Sequence, residues 1–242
     1  MNDDEILLLD RLEANHWWYR NRKVALRYWA NNLIQGSKVL DAGSASGANT
    51  LLLESLDLNV TSIEMSEYGC ELQRKKGIPV ICGDLCNMPC DDNSFDAIVC
   101  MDVLEHIQGD DLAVSELRRV LRPGGKFLIT VPEDMRLWSQ HDVSVNHFRR
   151  YSRKDICKLL EEADFEIESV WSSNVSLKPL IKAFRKKSTG SDLETVPSLL
   201  NWLMLVWANL ERLTFLRNFS GVTVWVTGKK RASITSIESL RK

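Results

Sequence analysis

Residues Lys38–Leu53, KVLDAGSASGANTLLL, constrain the fold of this 242-residue chain more than any other stretch. Val39 and Leu40 are strand formers, and Asp41 closes the strand. Gly43, Ser44, Ala45, Ser46 and Gly47 leave almost no side-chain bulk in the turn that follows. Ala48, Leu51, Leu52 and Leu53 then supply the apolar face of a helix. A strand, a tight turn and a helix in this order let a ligand press against backbone at the carboxyl edge of a parallel sheet.

Two nucleotide-type ligands use such a turn. The dinucleotide fingerprint G-x-G-x-x-G is met by Gly43, Ala45 and Ala48 only with two substitutions. The acid-x-Gly-x-Gly-x-Gly turn of class I S-adenosyl-L-methionine (AdoMet) methyltransferases is met by Asp41, Gly43, Ala45 and Gly47 with one. The turn alone leaves both open, and the surrounding segments decide.

The length suits one substantial core with a lid or insertion. A formal charge of −2 and a near-neutral isoelectric point give no nucleic-acid footprint. Asp3, Asp4 and Glu5 are the wrong flank for a secretory segment, and six cysteines without such a segment point to reduced thiols in a cytoplasm. Cys82, Cys86 and Cys90 are evenly spaced by four, one residue too long for the radical-AdoMet CxxxCxxC, and Cys82 is expected to end a strand. All six are expected to act as small apolar residues.

The patterning predicts helices over 3–14 and 17–35, a strand over 38–42, and a second strand closing with Glu64. A helix from Glu67 ends at Gly77, followed by strands over 78–82 and 95–101. A helix over 111–121 is broken by Arg122-Pro123-Gly124-Gly125 before a strand over 126–131. Ser152 and Asp155 form a capping box for the next helix, a sixth strand covers 166–171, and a seventh begins near Val222. This alternation implies an α/β fold: a seven-stranded, mostly parallel, doubly wound sheet with an antiparallel last strand. N-terminal helices (1–35) cap a domain over 36–231, a helical insertion (173–220) precedes the last strand, and the polar tail (232–242) is expected to be mobile.

Beyond the first turn, the chain resembles a class I AdoMet-dependent methyltransferase over about residues 36–172 and 221–230. The resemblance rests on an ordered set. It comprises Asp41-Ala42-Gly43, Glu64, Gly83-Asp84-Leu85, the run Ser94–Val99 into Met101-Asp102-Val103-Leu104-Glu105-His106, and Leu117–Gly125. It implies AdoMet as cofactor and assigns a role to each position. Gly43, Ser44 and Gly47 let backbone approach the methionine portion, and Asp41 favours its ammonium directly or through water. Glu64, 23 residues after Asp41, accepts from the ribose hydroxyls. Asp84 and the Leu85 backbone read the adenine, which Met65, Leu85 and Met101 sandwich. Arg22, in the His16–Arg22 segment of a related subgroup, is placed to pair with the cofactor carboxylate, and Trp17 and Trp18 either roof the pocket or fill core.

Methyl transfer to a hydroxyl or amine needs a base near the fourth and fifth strands. The candidates are His106, in V-L-E-H-I, and His141, on the loop after the fifth strand. Asp102, Glu105 and His106 keep an acid-x-x-Glu-His pattern that can bind a divalent cation in ubiquinone-pathway O-methyltransferases. Glu105 and His106 are adjacent on a predicted helical turn, however, and are expected not to point one way, so no metal is expected. His147, Arg149 and Arg150 either flank the acceptor or pin the loop. The segment resembles a subgroup often found among polysaccharide- or lipid-modifying proteins, implying a small-molecule, sugar or lipid-linked acceptor.

Thr195 to Leu210 carries no charge and holds Trp202 and Trp207. Its sixteen residues fall short of the roughly twenty that cross a bilayer. With Lys182, Arg185, Lys186 and Lys187 upstream, 195–218 reads as a buried cap, a homodimer contact or a peripheral membrane surface. The localisation expected is cytoplasmic, with membrane association open. Two rival functions stay in view: a catalytically silent AdoMet-binding partner or sensor, and an NAD-dependent oxidoreductase.

Overall fold

The structure is a computed structural model that describes residues 3–185 and 196–232. Two helices, α1 (Asp3–Leu12) and α2 (Trp17–Ala30), lead into β1 (Lys38–Ala42), α3 (Ala48–Glu54), β2 (Asn59–Glu64), α4 (Glu67–Lys75) and β3 (Val80–Cys82). β4 (Phe95–Met101), a 3₁₀ turn at Leu104–His106, α5 (Asp110–Val120) and β5 (Leu121–Pro132) follow. The chain then forms α6 (Gln140–Ser144), α7 (Arg153–Glu162), β6 (Phe165–Ser173), α8 (Lys178–Arg185), α9 (Ser198–Arg212) and β7 (Thr223–Lys230).

The seven strands lie in the order β3-β2-β1-β4-β5-β7-β6, and β7 runs antiparallel to both neighbours. The order reverses between β1 and β4, which opens a crevice at their carboxyl ends. Successive side chains of a strand face opposite ways, so each central strand feeds two cores. Leu40, Ile98, Cys100, Phe127 and Ile129 pack with Leu117 of α5 and Ile156 of α7. Val39, Ala97, Val99 and Leu128 pack on the other face with Leu26 of α2 and Leu53 of α3. Near-continuous apolar runs are what strands covered on both faces require.

Three expectations need correction. The second helix stops at Ala30 rather than residue 35: the Asn32 amide donates back to the Tyr28 and Trp29 carbonyls and unwinds the end. Ile34 is consequently exposed. β3 starts at Val80, two residues later than the pattern suggests. Cys70 and Cys82 are joined in a disulfide, because the first turn of α4 lies over the end of β3 with Cα atoms 6.0 Å apart. Cys86, Cys90, Cys100 and Cys157 are free thiols.

The insertion contains α8 and α9, and Lys186, Lys187, Thr195 and the tail beyond Ala232 lie outside the described residues. α9 docks on the start of α2. The Asn201 side chain accepts from the Trp17 amide (2.7 Å) and donates to the Asn15 carbonyl (2.8 Å). Ala208 and Glu211 turn inward, while Leu199, Leu200, Trp202, Leu203, Val206, Trp207 and Leu210 stay exposed. No helix among the described residues is long and apolar enough to cross a membrane.

Candidate active site

The turn after β1 is shaped by backbone conformations that favour glycine. Gly43 has φ +77°, and a Cβ there would lie 2.4 Å from Val103 Cγ2. Gly47 has φ +83°, and its Cβ would lie 2.4 Å from Ile78 Cδ1. Ala45 also has positive φ, +46°, so the one residue that departs from the three-glycine pattern sits where a side chain costs roughly 1–2 kcal/mol.

Hydrogen bonds hold this turn from beneath and from both sides. Gln73 of α4 donates to Ser44 Oγ and to the Ala45 carbonyl, each at 2.9 Å. Ser44 Oγ in turn donates to the Ile63 carbonyl (3.3 Å). Asp41 is 1 % exposed and accepts from Thr50 Oγ1 at 2.7 Å. Burial pushes its carboxyl up to about 7. From above, Ser46 Oγ donates to Glu13 (2.5 Å), and Lys76 donates to the Ser46 carbonyl while pairing with Asp10.

Glu64 is the last residue of β2, and its two oxygens accept from the Ala45 amide and the Ser66 amide, each at 2.8 Å. An ionised carboxylate has about four lone-pair sites, so two acceptor positions stay available to a diol. Asp84 lies two residues past β3, is exposed, and accepts from the Cys86 amide at 2.9 Å. Met65, the residue after β2, is 76 % exposed, whereas Leu85 is buried in the core shared by α5 and α7. Met101 packs against the core on the other face, its sulfur 3.8 Å from the Asn49 amide nitrogen.

Across the crevice, Arg22 is buried over the Trp225 ring, pairs with Asp102 (2.8 Å) and donates to Thr130 Oγ1 (2.8 Å). Beyond Asp102, the 3₁₀ turn presents Glu105 and His106 to the loop after β5. The His106 and His147 rings meet edge to face at 4.6 Å, and the His141 ring lies 6.3 Å from that of His147. His147 Nδ1 bonds Asp142 (2.9 Å), which also accepts from Arg150 Nε (2.7 Å). Arg149 donates to the Gln108 carbonyl and pairs with Asp110. Burial, then the neighbouring His147, drives the His106 ring down to about 3. Burial, then the Asp102 charge, pushes Glu105 well above the usual carboxylate range.

A family model described as a methyltransferase domain matches residues 40–129, from β1 through most of β5. Its span takes in the turn, Glu64, Asp84 and the segment after β4 on the sheet just described. Residues 40–129 are thus similar to the methyltransferase domain family. A Mycolicibacterium smegmatis protein described as a "probable S-adenosylmethionine-dependent methyltransferase" is 30 % identical over 161 residues, covering 65 % of this chain and 62 % of that protein. The chain spans about three fifths of the length of the first curated relatives it matches. Phosphoethanolamine N-methyltransferase 2 of Haemonchus contortus, solved with S-adenosyl-L-methionine, superposes with a TM-score of 0.65 at 21 % identity over 96 % of this chain and 58 % of that one. The [4+2]-cyclase SpnF superposes at 0.59 with 21 % identity over 88 % and 81 %. At such identities the likeness concerns the fold.

On this sheet edge Gly43, Ser44, Gly47, Glu64, Met65 and Asp84 lie at the carboxyl ends of β1, β2 and β3. Two expected contributors are engaged elsewhere. Arg22 is committed to Asp102 and Thr130, and Leu85 turns its side chain into the core. Trp17 is buried, as the core-filling reading holds. Glu105 and His106, expected to diverge, both reach the space beside His147. Glu13, Gln73 and Asp142 were missed. Glu13 and Gln73 act across gaps of 33 and 29 residues, whereas Asp142 acts within its own loop, on His147 and Arg150.

Proposed function

We propose that this chain transfers a methyl group from AdoMet to an oxygen or nitrogen of a small-molecule, sugar or lipid-linked acceptor. The observation that carries the reading is Glu64: a carboxylate at the tip of β2, held by two amides, with acceptor capacity left over. AdoMet supplies a methyl group already activated on sulfonium sulfur. The chain's own residues then have to align, and to take a proton when the acceptor carries one.

In this reading Gly43 and Gly47 admit the methionine portion, Glu64 holds the ribose, and Asp84 with Met65 meets the adenine. Asp41 acts through the turn rather than by direct contact, since Thr50 covers it. His141, half-buried on α6, is the base, with His106 behind it. Calorimetry with AdoMet followed by a labelled-methyl assay on cell extract tests the whole. Saturable binding with a labelled product is expected, and His141→Ala should slow turnover at least about 100-fold with affinity kept. Tight binding without product across broad extracts would favour the silent sensor.

The outer face of α9 supports a lipid-side acceptor. Seven large apolar side chains stay exposed there, Leu213, Phe215 and Phe219 continue the surface, and Lys182 and Arg217 are exposed cations nearby in sequence. Anionic vesicles should pellet the protein, and Trp202→Ser with Trp207→Ser should release it. Equal pelleting of both forms refutes this contact, and a concentration-dependent dimer lost in the double variant assigns the face to a second copy.

A further inference from the structure

We propose that Glu105, His106 and His147 form a binding site for a divalent transition-metal ion, which ties the loop after β5 to the tip of β4. One ligand atom from each of the three lies within 4.8 Å of the others. Glu105 Oε1 and His147 Nε2 are 3.8 Å apart, too far for a hydrogen bond between them. Two ligands of one tetrahedral zinc ion stand about 3.3 Å apart, given bonds near 2.0–2.1 Å. For this pair a contraction of about half an ångström suffices.

The buried polar atoms make the case independently of that spacing. Glu105 is fully buried, and neither of its carboxyl oxygens has a hydrogen-bond partner; His106 Nδ1 is buried and unpartnered as well. Orphaned acceptors of this kind cost of order 1–3 kcal/mol each and ask for a ligand. One ligand atom from each of Glu105, His106 and His147 shares this spot.

The remaining geometry orients the imidazole of His147. Asp142 takes its Nδ1–H and is itself clamped by Arg150, so the lone pair on Nε2 is directed at Glu105. A carboxylate behind the distal nitrogen is the usual support of a metal-bound histidine. The Phe148 amide donates to the Glu105 carbonyl (2.8 Å), which fixes the loop against the 3₁₀ turn. Asp102, three residues before Glu105, is bound to Arg22 and Thr130 and stays outside the set. Two imidazoles and one carboxylate suit zinc, iron(II), cobalt or manganese better than magnesium or calcium.

The test is made on the full chain, stripped with chelator and titrated with Zn²⁺ by calorimetry, then with Co²⁺ by visible absorption. The expected result is one equivalent of tight, saturable Zn²⁺ binding and a Co²⁺ ligand-field band that Zn²⁺ displaces. His147→Ala and Glu105→Gln should weaken binding at least about 100-fold, and the milder Asp142→Asn roughly 10-fold. Glu105→Gln keeps the side-chain shape, so it reports on the ligand even where His147→Ala disturbs folding. Absence of a saturable equivalent in the wild type, or an unchanged Co²⁺ band in Glu105→Gln, overturns the site. Neither measurement uses AdoMet, so the outcome is separate from the methyl-transfer reading.

Discussion

The two sides of the crevice are built on opposite plans. On the β1–β2–β3 side nearly every polar group has a partner: Asp41 with Thr50, Gln73 with Ser44 and Ala45, and Glu64 with two amides. On the β4–β5 side Glu105 and His106 bury polar atoms without partners, and away from both, α9 leaves an apolar face bare. A finished, hydrogen-bonded turn fits one invariant ligand part. Under the proposed function, unsatisfied groups and an open face fit the part that varies, the acceptor.

Four substitutions or conditions bear on this contrast, and the largest effect should come from the finished side. Gly43→Ala adds a Cβ against Val103 at a left-handed position, so a loss of about 2–4 kcal/mol in unfolding free energy is expected by denaturant titration. Full stability in that variant would mean the turn is less rigid than its geometry implies.

Next in size, Glu64→Ala removes charge-assisted acceptors worth about 1.5–3 kcal/mol, which predicts a 10- to 150-fold loss of AdoMet affinity by calorimetry. An unchanged affinity would remove Glu64 from the cofactor site.

Stability should also depend on pH through Asp41. Burial raises its folded-state value from 3.8 to about 7, so the folded chain keeps a proton that the unfolded chain releases. The stabilisation is complete below about pH 4 and is lost as pH rises toward 7. Its slope is at most about 1.4 kcal/mol per pH unit for one proton. Asp41→Asn should flatten that slope in thermal unfolding measured across the window. The smallest effect is Ala45→Gly, which should stabilise by roughly 1 kcal/mol by relieving the positive φ.

The same contrast governs what could be read from the sequence. β4 runs Phe95–Met101 as the alternation implies, and the Ser152–Asp155 box caps α7, because both signals are local. The turn after β1 was legible for the same reason. The β4–β5 side was not. Glu105 and His106 sit on a 3₁₀ turn, where neighbours point about 120° apart, and their convergence depends on a histidine some forty residues later in the chain. The Cys70–Cys82 disulfide needed the packing of α4 on β3, which no spacing rule supplies.

The Asn201 side chain stitches α9 to the corner between α1 and α2, and Glu13, two residues before Asn15, grips Ser46 in the turn after β1. Insertion, corner and turn are thereby coupled in series. One asparagine and one glutamate thus span the distance from the outer helix of the insertion to the turn after β1.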